Sequence, residues 1–332
     1  MGTHLLRGIL IIVALLVLLG VPVHADDLNG VVRFATLPPG PGHPEGIAAD
    51  ADGNIYVSTF DFTISPQVIH IFGRNGRLRD TIPLPGALPL GMAFDQAGNL
   101  YVANFGGGNI LKFTPPLNAF STPTMTFAIC GGPGAGCGLN AMTFDSSGDL
   151  YVSDSFGGRV FKIDLPGGVV SLFFSDPLLT PGSHAFPPFG ANGLAFNAGG
   201  TVLFIANTAD DRILKLNLVG GAPTTLETFA ESVNGADGIL FDGDGRLWVA
   251  ANQADELVAL NANGRVVERR GSFEGIGPDG APRGLLFPAS IVLSRGSIFV
   301  TNAALVLTPA VGDEPEEDVT TFTVSRIPLR GH

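Results

Sequence analysis

An all-β fold, a six-bladed propeller of four-stranded antiparallel blades, is predicted by three observations. A phrase of the form x-G-I/L/M-A-F-D-x-x-G-N-L-Y-V recurs six times in the 332 residues, and its turn glycines, Gly53, Gly98, Gly148, Gly200, Gly245 and Gly296, lie 45, 50, 52, 45 and 51 residues apart. That is the period of propeller repeats. The units are rich in glycine, β-branched and aromatic residues and alternate with period two, which excludes helical solenoids of similar period. Residues 31–37 form a lone β-type segment ahead of the first unit, while the last unit ends one strand short. Placed as the outer strand of the sixth blade, that segment pairs a free edge and closes the ring.

The chain opens with one positive charge, Arg7, an apolar run over 9–19 too short to cross a bilayer comfortably, and small residues at Val23 and Ala25. This is the pattern of a secretory signal peptide spanning 1–25 and cleaved before Asp26, with an uncleaved anchor as the alternative. The mature chain, 26–332, is then expected to be a single secreted or periplasmic propeller domain, monomeric and not attached to a membrane. In the second unit, 91–94 makes the inner strand A, 95–98 a tight turn, 99–103 strand B, 110–114 strand C and 124–129 strand D. The last unit supplies 290–293, 297–301 and 320–327. Tyr56, Tyr101, Tyr151, Phe204, Trp248 and Phe299 in the B strands fill the space between blades. Cys130 and Cys137, in C-G-G-P-G-A-G-C, are expected to close a local disulfide in an oxidising compartment.

The position opening each phrase reads Glu45, Leu90, Asn140, Asn192, Asp237 and Ala289. In a ring this position points at the common axis, and four of its six occupants carry oxygen donors, the layout of a hard-cation site. Asp50, Asp95, Asp145 and Asp242 lack the spacing of a calcium loop and read as caps of the A–B turn. Thr59, Asn104, Asp154, Asn207, Asn252 and Asn302 read as caps of the B–C turn, with the substrate mouth as the alternative. His184, in S-H-A-F-P-P-F-G, is a candidate base on a rim loop, beside an apolar wall at 186–189. Residues 312–318 read as a solvated acidic insertion.

Net charge is −12, and −13 once Arg7 leaves with the leader. Such a chain carries no large basic surface for phosphates, which argues against nucleic-acid binding.

The repeats P-E-G-I-A-A-D-A-D-G-N-I-Y-V, G-A-N-G-L-A-F-N and A-D-G-I-L-F-D-G-D-G-R-L-W-V resemble the senescence marker protein/gluconolactonase family, which includes regucalcin, and its relatives the phosphofluoridate hydrolases and paraoxonases. Binding-only NHL-type propellers share the repeat. The resemblance implies a divalent ion, Ca²⁺ or another such as Zn²⁺ or Mn²⁺, held at the top of the central channel by Glu45, Asn140, Asn192 and Asp237. It also implies a hydrolase acting on a small-molecule lactone or related ester, with Asp237 as catalytic base and Asn140 orienting the substrate. Relatives place histidines where this chain has Leu90 and Ala289, and the family's sugar-acid-binding arginine has no clear match. The alternative is a non-enzymatic propeller that binds a ligand or protein partner around a structural calcium.

Overall fold

The computed structural model describes residues 30–165, 167–182, 188–306 and 314–329. Six four-stranded antiparallel sheets form the blades of a closed ring. Their inner strands are Pro44–Ala49, Pro89–Phe94, Leu139–Phe144, Ala191–Phe196, Ala236–Phe241 and Pro288–Ser294. Val32–Thr36 pairs antiparallel with Thr323–Pro328, matching Val32 to Arg326 and Thr36 to Thr323, so the expected closure of the sixth blade is present. Leu37 extends it by donating its N–H to the Phe322 carbonyl at 2.9 Å. The second unit lies within two residues of expectation, with strands Pro89–Phe94, Leu100–Asn104, Asn109–Phe113 and Met125–Ala128. In the last unit the third strand starts at Thr323 rather than at 320, because Thr320 and Thr321 donate their N–H groups to Gly280 instead of to the ladder.

The A–B turns are built as their sequence suggests. Asp50, Asp95, Asp145 and Asp242 each accept, through Oδ1, the backbone N–H four residues on, at 2.8 to 3.0 Å. Their other oxygen accepts Tyr56, Tyr101 and Tyr151 hydroxyls and the Trp248 indole N–H, so one carboxylate both shapes the turn and satisfies the polar tip of a buried aromatic. Those aromatics fill the clefts between blades. Tyr56 meets Phe94, Tyr101 meets Phe144, Tyr151 meets Phe196 and Phe204 meets Phe241, edge to face at 4.9 to 5.5 Å.

All six inner strands break register at the same place. The irregularity falls between Pro44 and Ile47, Pro89 and Met92, Leu139 and Met142, Ala191 and Leu194, Ala236 and Ile239, and Pro288 and Ile291. Two inner residues therefore face one residue of strand B, a β-bulge, and the first of the two is always the axial position. A bulge re-aims a side chain out of the pleat, which turns this position toward the axis. The bulge's extra N–H finds a hydroxyl where strand B has one: Gly46 donates to Ser58, Ala141 to Ser153 and Ser290 to Thr301, at 2.9 to 3.0 Å. The second bulge residue is glycine where the next blade presses closest. A Cβ on Gly193 would sit 2.2 Å from the Asp237 carbonyl oxygen, inside any real contact.

Three features were not legible or lie elsewhere. A short hairpin, Phe273–Ile276 with Pro282–Gly284, stands between the fifth and sixth blades. Residues 315–318, expected to be irregular, form one 3-10 turn. Residues 1–25, expected to be a signal peptide, and Asp26 fall outside the described residues, among which no helix is long and apolar enough to cross a membrane. Cys130 and Cys137 form the expected disulfide.

Candidate functional site

Glu45, Asn140, Asn192 and Asp237 line one cavity at the top of the channel. The six-fold bulge accounts for this convergence. Thr208 and Asn252 complete its polar floor, Phe60, Leu90, Phe189, Phe287 and Leu305 line the rest, and the volume of the whole cavity is about 40 Å³. A water needs about 10–15 Å³ of such space, so the cavity has room for an ion with a water or two, and an organic ligand has to sit at its mouth.

Each donor of blades three to five is held by a side chain of its own blade, 15 or 16 residues further on. Asn140 donates to Ser155 Oγ at 3.3 Å, Asn192 to Thr208 Oγ1 at 3.0 Å, and Asp237 Oδ2 accepts Asn252 Nδ2 at 3.1 Å. Ser155 and Thr208 in turn donate to the Ala191 and Ala236 carbonyls, at 2.6 and 2.8 Å, each belonging to the residue just before the next blade's donor. The hydroxyls thus fix the amide planes: nitrogen is the atom that donates, and Oδ1 of Asn140 and of Asn192 stays an open acceptor.

The electrostatics are those of two carboxyl groups that burial and mutual repulsion keep from ionising readily. Burial, and then the negative charge of Asp237, push Glu45 well above the usual carboxylate range. Burial lifts Asp237 to about 7 against the N–H groups of Asn252 and Asn192, which pull it back. Among the described residues no lysine or arginine lines the cavity. Glu45 Oε2 and Asn252 Oδ1 are buried with no hydrogen-bond partner. Orphaned acceptors beside paired carboxylates make a donor set that fits a hard cation taking carboxylate and amide oxygens. The set has only two carboxylates; among the described residues no group of three or more His, Cys, Asp or Glu side chains gathers.

The sequence reading placed Asn252 with the B–C caps, and the structure corrects this. Thr59, Asn104, Asp154, Asn207 and Asn302 pair with the inner-strand residue before the bulge, but in the fifth blade that place belongs to Ala251. Asn104, Asp154 and Asn207 do cap: Asp154 Oδ1, for example, accepts the N–H groups of Gly138, Phe156 and Gly157 at 2.8 to 3.2 Å. Asn252 lies one residue further on, in the register of Phe60, Phe105, Ser155, Thr208 and Ala303. Counting four residues from each B-strand aromatic finds this second ring.

His43 was also missed. It lines the cavity with φ 50°, and its Nδ1 donates to the Ala303 carbonyl at 2.9 Å, which leaves Nε2 as an acceptor. So a histidine does reach the cavity, although Leu90 and Ala289 hold the positions where relatives have one. His184 lies outside the described residues.

Residues 139–270 match the family described as SMP-30/Gluconolactonase/LRE-like region. The chain carries an SMP-30/gluconolactonase-like region. It spans blades three to five and so contains Asn140, Asn192, Asp237 and their three partners, but not Glu45. No curated protein matches the chain. Among solved structures, a luciferin-regenerating enzyme is 15% identical with a TM-score of 0.67, covering 91% of this chain and 95% of its own. Regucalcin from Agrobacterium tumefaciens, a calcium-binding protein, is 18% identical with a TM-score of 0.65, over 90% and 96%. A gluconolactonase from Xanthomonas campestris is 15% identical with a TM-score of 0.63, over 90% and 89%. These likenesses establish the six-bladed gluconolactonase-like propeller as the fold.

Proposed function

We propose that the protein is an exported, divalent-cation-dependent hydrolase of a lactone or related ester. The observation that carries this is the floor itself: two buried carboxylates, Glu45 and Asp237, with open amide oxygens beside them and, among the described residues, no lysine or arginine to neutralise them. Glu45, Asn140, Asn192 and Asp237 would hold the cation, Ca²⁺ being the best match to an all-oxygen set. When bound, the cation supplies a Lewis acid that polarises the carbonyl of the ester. Glu45 and Asp237 provide its charge balance. Asn252 and Asn192 hold the Asp237 carboxylate in one orientation, and its Oδ1, the oxygen not bonded to Asn252, accepts a proton from the attacking water. Asn140, its nitrogen tied to Ser155, presents Oδ1 toward cation and substrate.

The family region and the calcium-binding and gluconolactonase neighbours support this reading, as does the leader pattern at 1–25 for export. A second reading, a binding propeller with a structural calcium, has the small cavity in its favour, since about 40 Å³ accommodates an ion but no substrate. Turnover of a lactone and aryl-ester panel with calcium, manganese or zinc separates them. The hydrolase reading expects activity that EDTA removes, and Asp237→Asn that folds and binds calcium but loses at least about 100-fold in kcat. Wild-type turnover by Asp237→Asn, or none by the native protein with any of the ions, rejects it.

A further inference from the structure

The cavity has two unlike sides. In blades three, four and five the two axial rings are polar: Asn140 with Ser155, Asn192 with Thr208, Asp237 with Asn252. In the other three blades the upper ring reads Ala303, Phe60 and Phe105, and the lower one has Ala289 and Leu90 flanking Glu45. Phe60, Phe105 and Leu90 are 5%, 4% and 3% exposed and pack as one apolar cluster with Leu88, Phe156 and Phe189. Above the floor the rings continue as a chain of contacts. Phe62 meets Phe60 at 4.7 Å, Phe60 meets Phe105 at 5.9 Å, Phe105 meets Phe156 at 5.5 Å, and Phe156 meets Phe189 at 5.7 Å. Phe287 and Leu305 continue the apolar lining over the sixth blade. Phe62, at the outer end of the chain, is 72% exposed.

We propose that this mouth takes an uncharged lactone or ester bearing an apolar substituent, in preference to a polyhydroxylated sugar lactone. The proposal rests on the hydrolase reading for the chemistry, but the binding preference stands on the collar. A sugar lactone would press several hydroxyls against phenylalanine faces, and each hydroxyl desolvated without a partner costs about 1–3 kcal/mol. The amide donors that line the cavity are already engaged through nitrogen, and the open side-chain oxygens beside them are those that would hold the cation. An anionic substrate fares worse. Among the described residues no lysine or arginine lines the cavity to meet it, and the charge of the cation is already balanced by Glu45 and Asp237.

The test uses two matched series on the calcium-loaded protein: γ-lactones with side chains from none to hexyl, with glucono-δ-lactone for comparison, and 2-alkylcyclopentanones, which share the ring and carbonyl but cannot be hydrolysed. Expected is a rise in kcat/KM of about fourfold per methylene, the equivalent of about 0.8 kcal/mol for each buried CH₂, with ketone affinity measured by calorimetry climbing in step. Glucono-δ-lactone should be turned over at least about 100-fold less efficiently than the hexyl lactone. Phe60→Ser should flatten both slopes. Phe62→Ser, at an exposed position where folding is not at stake, should lower the values for the longest chains. A flat dependence on chain length in both series, or preference for glucono-δ-lactone, overturns the proposal. No hydrolysis together with rising ketone affinity overturns the hydrolase reading and supports the collar.

Discussion

Replacing Asp237 by asparagine should stabilise the cation-free protein at alkaline pH, an unusual direction for a substitution at a buried site. Asp237 is 6% exposed, and burial raises its pKa from the ordinary 3.8 to about 7. The folded state therefore binds this proton more tightly than the unfolded chain does. The stability linked to the proton is fully present below about pH 3.8 and is lost as pH rises through about 7. Across that window the loss is about 1.4 kcal/mol per pH unit, on the order of 3 kcal/mol between pH 4.5 and 8. Glu45, whose pKa burial and Asp237 also raise, adds a loss of the same sign. The substituted amide keeps an acceptor for Asn252 and has nothing to titrate. Urea unfolding in EDTA at pH 4.5, 6, 7 and 8 should show the variant gaining on the wild type by about 3 kcal/mol over the series, on the order of twice the error of such extrapolations. Saturating calcium should reverse the order at pH 8, because the cation neutralises the wild-type pair. A stability difference that does not change with pH in EDTA would refute the electrostatic reading of the floor.

Three further outcomes follow from the fold. Gly193→Ala should lower stability by about 3 kcal/mol or more in a thermal melt, because its Cβ would meet the Asp237 carbonyl oxygen at 2.2 Å and backbone has to move. Removing residues 30–37 should destabilise the whole ring by about 4 kcal/mol or more and produce aggregates on size exclusion: Val31, Ala35 and Leu37 lose their burial and the Thr323–Pro328 strand becomes a bare edge. His70, 4% exposed, has its pKa lowered by burial to about 4. A lowered histidine leaves stability intact above its ordinary pKa of 6.5 and loses it as pH falls toward 4. His70→Gln should therefore melt with a shallower acid dependence than the wild type between pH 6.5 and 4.5, and parallel curves would count against burial as the cause.

The parts of this molecule that were legible are those where one physical demand is repeated in every blade. The turn glycine and the aromatic wedged between blades recur in all six because every blade has to turn and to pack, and the capping aspartate, five residues before strand B, recurs in four. Their spacing fixes blade number, strand order and the axial position. Closure by Val32–Thr36 was legible for a related reason: a strand missing at one end and spare at the other have one economical arrangement. What stayed hidden was set by register rather than by residue type. Asn252 was grouped with Asn104, Asn207 and Asn302 because all are asparagines near a strand end. In the fifth blade the residue at that place is Ala251, and a slip of one moves a side chain from the cap to the cavity. His43 escaped because it reaches the cavity from a loop, in a left-handed conformation no repeat predicts. The hairpin at 273–284 belongs to no repeat at all.

The bulge explains why one ring can carry a site on one side and none on the other. Its first residue is turned out of the pleat toward the axis, so the blade's packing does not depend on what stands there. Leu90, Ala289 and Glu45 occupy the same backbone as Asn140, Asn192 and Asp237. A donor alone is not enough, because an amide or carboxylate free to rotate presents no fixed oxygen to a cation or a carbonyl. The second ring decides which donors are fixed. Where it supplies Ser155, Thr208 or Asn252 the axial side chain is held, and where it supplies Phe60, Phe105 or Ala303 the same position is left apolar or, at Glu45, unbonded at Oε2. Glu45 is thus the one donor whose orientation the protein does not itself fix. A ligand held by three oriented donors and one adjustable carboxylate gains its last interaction by movement of Glu45. Stopped-flow exchange against a calcium-binding dye should therefore show that Glu45→Gln slows capture of the cation less than it hastens its release, and the opposite split would mean that Glu45 is already in place before the cation arrives.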